Sequence, residues 1–199
     1  MKKLSVVLLF SCIGMMQACN DSSNSDSVSQ ADSTNDQRDT TGMMPQQDST
    51  SGVGINDDVA DFAVKAADGG MMEVQLGEYA SKNASDKSVK DFGSMMVKDH
   101  SKANDELKSL ATSKNIALPV TVGDDKTNMM NDLMKNKGKD FDKAYMNKMV
   151  DDHKEDVDMF QKAADNSKDS DIKAFAAKIL PTLQKHLTEA EAIVKSHNY

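Results

Sequence analysis

The chain has 199 residues, enough for one ordinary domain with tails, and its 38% hydrophobic content is too low for every part of it to fold. The net charge of −8 speaks against nucleic acid or anionic lipid headgroups as partners. The absence of Trp and the 5% aromatic content also remove the stacking platforms that single strands need.

The first residues read as a targeting signal. Lys2 and Lys3 supply the positive start, Leu4 to Phe10 is apolar, and Ala18 is the small residue before Cys19. The apolar stretch is shorter than the roughly 20 residues a spanning helix needs. Met16-Gln17-Ala18-Cys19 resembles a bacterial lipobox, so residues 1–18 are expected to be removed and Cys19 to carry lipid. Cys12 is the rival lipidation site, and a plain cleaved signal without lipid is the alternative. The expected location is the periplasm, anchored to a membrane through the lipid. Asn20 after Cys19 points to the outer membrane under the familiar sorting rule. Both cysteines lie in this region, so the rest of the chain must be stable without disulfides.

Residues 19–56 form the lipidated Cys and a stalk of Ser, Asp, Asn, Gln, Thr and Gly without apolar period. Such a segment cannot bury enough apolar surface to offset its ordering entropy, so a disordered spacer is expected. Met43-Met44-Pro45 reads as linker rather than as a ligand motif.

From Asp57 the apolar spacing turns helical. Val59, Phe62, Ala66, Gly69, Glu73, Leu76 and Ala80 make the first stripe, ending near Asn83. Ser85 or Asp86 opens a second helix, with Val89, Phe92, Met96, His100, Ala103, Leu107 and Leu110 on one face and a stop at Asn115 to Pro119. Residues 120–139 form a longer connection that can hold a short helix over Asp125 to Asn136. The third long helix runs from about Asp140 to Asn166 with Tyr145, Met149, His153, Val157 and Phe160. The fourth runs from about Ser170 to Ser196 with Ile172, Phe175, Ile179, Leu183, His186, Ala190 and Ile193. Pro181 is expected to kink or open the last helix. No stretch alternates as a strand does. An all-α four-helix bundle over residues 57–199 follows, with a longer connection between helices two and three that allows either an antiparallel step or a crossover.

Each long helix carries one polar residue in the middle of its apolar stripe: Glu73, His100, His153 and His186. Mid-helix positions fall at one level whichever way the helices run, so all four can converge. An ionised Glu cannot be buried alone. Three imidazoles and a carboxylate suit one transition metal ion such as zinc, iron, copper or manganese. Asp156 and Glu189, each three residues after a histidine, are further candidate ligands or acceptors for the imidazoles. Asp99 and Asp152 precede core histidines and are expected in solvent. The pairs Met71-Met72, Met95-Met96 and Met129-Met130 can be soft copper ligands but read more simply as core filler. A metal-free polar network is the alternative for the layer.

Asp61-Phe62, Gly70-Met71-Met72-Glu73-Val74, Phe92-Gly93-Ser94-Met95-Met96-Val97-Lys98-Asp99-His100, Phe141 to Tyr145, His153 and Leu180 to Leu187 together carry a resemblance. The chain resembles the ferritin-like domain of unknown function 4142, found in bacterial exported proteins often labelled outer membrane proteins. The resemblance implies a ferritin-like four-helix fold and no particular activity. A di-iron ferritin carries Glu-x-x-His on two helices. Here Val97, Val150 and Leu183 stand three residues before the histidines, which argues against standard di-iron chemistry. The expected function is an envelope binding or stress-related module, not an enzyme, holding at most one metal ion. A metal-dependent redox enzyme of the periplasm and a purely structural or protein-interaction lipoprotein are the alternatives.

Overall fold

The computed structural model describes residues 26–40 and 57–199. Within them the chain is all helical, with six helices and no strand. In chain order they are α1 (Ser27–Thr40), α2 (Asp57–Asn83), α3 (Lys87–Ser113), α4 (Asp124–Leu133), α5 (Lys139–Asn166) and α6 (Ser170–His197). The signal-like segment, Cys19 and Met43-Met44-Pro45 lie outside the described residues. None of the described helices is long and apolar enough to cross a membrane.

The helix ends follow from local chemistry. Asp86 caps α3 by accepting the Ser88 amide at 2.7 Å, and Asp169 caps α6 by accepting the amides of Asp171 and Ile172 at 3.0 Å. Asn115, with φ +57°, ends α3. The Ile116 amide reaches back to the Ala111 carbonyl at 2.9 Å, and buried Ile116 closes the end of the helix over the core. Pro181 does not interrupt α6, which is continuous from Ser170 to His197. The carbonyl deprived of its partner belongs to exposed Ala177, where water can satisfy it.

The four long helices pack as two hairpins, α2 with α3 and α5 with α6, joined by α3 against α6 and α2 against α5. Cross-contacts set the directions. Lys114 at the end of α3 pairs with Asp169 and Asp171 at the start of α6, so these two are antiparallel. Phe62 near the start of α2 meets Phe160 near the end of α5, while Asp142 at the start of α5 holds the turn after α2. All four neighbouring pairs are therefore antiparallel, and α3 and α5 run the same way. The connection between them must travel the length of the molecule, which makes it a crossover. Buried Asp142 ties its upper end down by accepting the amides of Ser85 at 2.9 Å and Asp86 at 2.8 Å.

Ser27–Thr40 corrects the expectation of a spacer without structure. This segment is helical and lies against α2 and the crossover. It has almost no apolar face, and among its described side chains only Ala31 and Asn35 are buried. Its side chains instead satisfy backbone groups of the crossover. Asn35 both donates to the Ala117 carbonyl at 3.0 Å and accepts its amide at 2.7 Å. Arg38 donates to the Asn115 carbonyl, Ser27 accepts the Val120 amide, and Asp26 accepts the Asp124 amide. An extended crossover has no ladder partner for these groups, and α1 supplies one.

α2 and α3 approach closely at two glycines. A Cβ on Gly93 would sit 2.8 Å from the Gly77 carbonyl oxygen and 2.9 Å from the Ser81 amide nitrogen, both backbone atoms that cannot rotate away. Gly93→Ala is therefore expected to destabilise the protein by about 2 kcal/mol, because the two helices must move apart. Denaturant titration checks this, and a variant as stable as the parent would show that the helices part at no cost.

Candidate metal centre

The core is divided into two clusters along the helix axes. One holds Phe92, Phe141, Tyr145 and the methionines Met72, Met96, Met130, Met146 and Met149. The other holds Phe62, Phe160, Phe175, Leu107, Ile172 and Leu183. Glu73, His100, His153 and His186 lie between them, one from each long helix, each at most 5% exposed. The four residues singled out by their mid-stripe positions thus meet in one layer. One ring nitrogen from each of the three histidines lies within 4.8 Å of the other two.

Each imidazole is oriented from behind. His153 Nδ1 lies 2.9 Å from the Met149 carbonyl oxygen, which can only accept, so Nδ1 carries the proton. His186 Nε2 lies 3.1 Å from the Asp99 carboxylate and carries the proton for the same reason. His100 Nδ1 lies 2.8 Å from Glu73 Oε2, and above neutral pH the carboxylate again requires a proton on the nitrogen. In neutral rings this assignment puts the lone pairs on His100 Nε2, His153 Nε2 and His186 Nδ1. His100 Nε2 is buried with no hydrogen-bond partner among the described residues. His153 Nε2 and His186 Nδ1 face each other at 3.4 Å, two acceptors with no hydrogen between them.

Electrostatics keeps the rings neutral. Burial pushes His100 and His153 down to about 4, the latter against the pull of the Glu73 carboxylate. Burial also lowers His186, with Asp99 opposing. Glu73 is pushed up to about 7 by burial, with His153 opposing. Asp156 is raised well above the usual carboxylate range, first by burial and then by the charge of Glu73. Two carboxyls this close in a buried place cannot both stay ionised, so the pair holds a proton. Asp156 and Glu73 line a cavity of about 20 Å³ together with His100 and Asn104.

The remaining candidates divide. Asp156 joins the layer through Glu73. Glu189 makes none of the layer's hydrogen bonds or ion pairs among the described residues. Asp99 is not simply in solvent but reaches across to His186 on α6. Asp152 is buried rather than solvated, its carboxylate 2.7 Å from the Lys148 ammonium on the same helix. Glu73 stands behind His100 as a hydrogen-bond acceptor instead of beside it as a fourth ligand. The paired methionines pack in or against the first core cluster. The Met149 carbonyl has no sequence signature, because a backbone acceptor is the same at every residue. Tyr145, whose hydroxyl is buried without a partner among the described residues one helical turn from Met149, carries no signal beyond its place in the apolar stripe.

The three lone pairs and their supports have the form of a metal-binding triad. Histidine ligands usually donate their second N–H to a carboxylate or backbone carbonyl, as all three do here. Two nitrogens at about 2.05 Å from a tetrahedral ion are separated by about 3.4 Å, the distance between His153 Nε2 and His186 Nδ1. Separations of up to 4.8 Å exceed this by up to about 1.4 Å, so the rings must move inward to close on an ion.

The family model that matches the chain, over residues 44–193, is described as Domain of unknown function (DUF4142). No curated protein and no solved structure matches it.

Proposed function

Since the chain belongs to the DUF4142 family, whose description names no activity, we propose a function from the site itself: a binding module of the cell envelope that holds one transition metal ion on His100, His153 and His186. Glu73, the Met149 carbonyl and Asp99 hold the rings from behind, and Asp156 shares a proton with Glu73. The scaffold is a ferritin-like four-helix bundle with a crossover between its second and third long helices. Lipid on Cys19 anchors it to the outer membrane on the periplasmic side.

The observation that carries the metal reading is the pair of lone pairs facing each other at 3.4 Å between His153 and His186. Without a proton or a cation that arrangement is repulsive, and burial disfavours the proton. Three imidazoles suit zinc, copper or iron better than manganese, which prefers oxygen ligands. The lone Glu73 has no Glu-x-x-His partner helix, which favours one ion over two.

The full-length chain, stripped by a chelator and exposed to each metal in turn, is expected to retain about one ion per chain of at least one of them. His100→Ala and His153→Ala, checked for helicity by circular dichroism, should retain none. Failure of every metal to bind, or unchanged stoichiometry in both variants, would overturn the reading in favour of a metal-free polar network.

A further inference from the structure

The histidine layer is not sealed on all sides. Between α3 and α6 a cleft of about 160 Å³ runs from the surface to the layer, lined by Asp99, His100, Lys102, Lys178, Thr182 and His186. A single water needs only about 10–15 Å³, so the cleft admits a ligand of several atoms. His100, 5% exposed, and His186, 0% exposed, line the inner end of this cleft, and His153 is not part of its lining. His100 also lines the smaller cavity beside Glu73, and its Nε2 is the buried nitrogen without a partner.

Resting on the metal reading above, we infer that the bound ion keeps one coordination position open toward this cleft and takes a small exogenous anion there. Three protein ligands with a fourth, exchangeable position is how reactive metal sites differ from closed structural ones. The charge of the anion follows from the ligand set. Three neutral imidazoles leave both charges of a divalent ion uncompensated among its direct ligands, and the carboxylates of Glu73 and Asp99 stand an imidazole ring further out. At the rim, Glu106 is engaged by Lys178 at 2.8 Å and Asp99 by His186. Neutral His186 does not cancel the charge of Asp99, so Lys102 offsets Asp99 at the rim and the ion itself supplies the attraction for an entering anion. The size follows from the cleft: its walls include Ile179 and Leu183 and its floor is two rings, which suits a di- or triatomic ligand better than a carboxylate with a long tail.

Azide is the probe, and Co²⁺ is the reporting metal because its visible absorption responds to coordination. Azide added to the cobalt-loaded full-length chain is expected to change the spectrum saturably, with one azide per cobalt. Thr182→Trp fills the cleft over the two rings, leaves all three proposed ligands in the sequence, and should weaken azide binding by about tenfold or more while cobalt stays bound. Lys102→Glu lies on the exposed rim, where folding is not at stake, and should weaken it by about threefold, more at low salt than at high. A cobalt site whose spectrum ignores azide would overturn the open position. Equal azide affinity in both variants would overturn the cleft as its route. A chain that binds no cobalt or other metal at all fails at the earlier step, and that outcome is read separately from the spectrum.

Discussion

Saturating metal is expected to raise the thermal midpoint of the protein by about 10 °C, and His153→Gln to abolish the rise. Binding to the folded state alone stabilises by about 4 kcal/mol when the free metal is a thousandfold above its dissociation constant. In a domain of this size each kcal/mol moves the midpoint by about 2–4 °C. His153 is the informative position because it is fully enclosed and its Nδ1 is fixed by the Met149 carbonyl on its own helix. Gln retains a neutral polar side chain of similar reach, so the metal-free variant is expected to fold. Calorimetry with and without metal separates the outcomes. An equal rise in parent and variant would put the ion elsewhere, for instance on exposed acids. No rise in either would remove the metal site.

Glu73→Gln is expected to leave the metal-free protein about as stable as the parent at pH 5 and to make it more stable by on the order of 3 kcal/mol at pH 8. The sign comes from burial. Glu73 is raised from 4.5 to about 7 in the folded chain. Its contribution is therefore fully present below the unfolded value and is lost as pH rises through about 7, where the buried carboxylate must ionise. Gln has nothing to ionise and keeps an acceptor for His100. The histidines act in the opposite direction. His100 and His153, lowered to about 4, contribute stability that is present above 6.5 and lost as pH falls toward 4. Both proteins share that acid loss, so their difference isolates Glu73. Denaturant titrations at intervals between pH 5 and 8 in the presence of chelator measure it. A difference that does not change with pH would mean that His100 keeps Glu73 ionised throughout.

Much of this arrangement was legible in the order of residues. The 3–4 spacing located the four long helices to within a residue or two, because each stripe has a core to face. The convergence of Glu73, His100, His153 and His186 followed from equal helix lengths alone. The direction of the long connection did not follow, since its length permits both an antiparallel step and a crossover. α1 was invisible for a different reason. Its stability comes from Asn35, Ser27, Asp26 and Arg38 bonding the crossover's backbone, and such bonds leave no apolar period to detect. The expectation of a solvated Asp99 rests on the divergence of adjacent residues on one helix, which is true of Asp99 and His100. Its partner is instead on α6, and only the packing of α3 against α6 brings it within reach of His186. Asp152 is buried by Lys148, one turn before it, whose ammonium compensates the carboxylate. Glu189 has the same spacing from His186 that Asp156 has from His153, yet only Asp156 turns toward Glu73.

The polar layer that separates the two clusters of the core also lies where the two helical hairpins meet. His100 belongs to the α2–α3 hairpin, and His153 and His186 belong to the α5–α6 hairpin. An ion held by these three side chains is therefore a crosslink between the hairpins, spanning stretches of chain far longer than a turn. Crosslinks that close long loops remove the most freedom from the unfolded chain. The only cysteines are Cys12 and Cys19, so no disulfide can do this within the bundle. The metal would then serve as a removable staple, fastening the hairpins when it is bound and freeing them to separate when it is not.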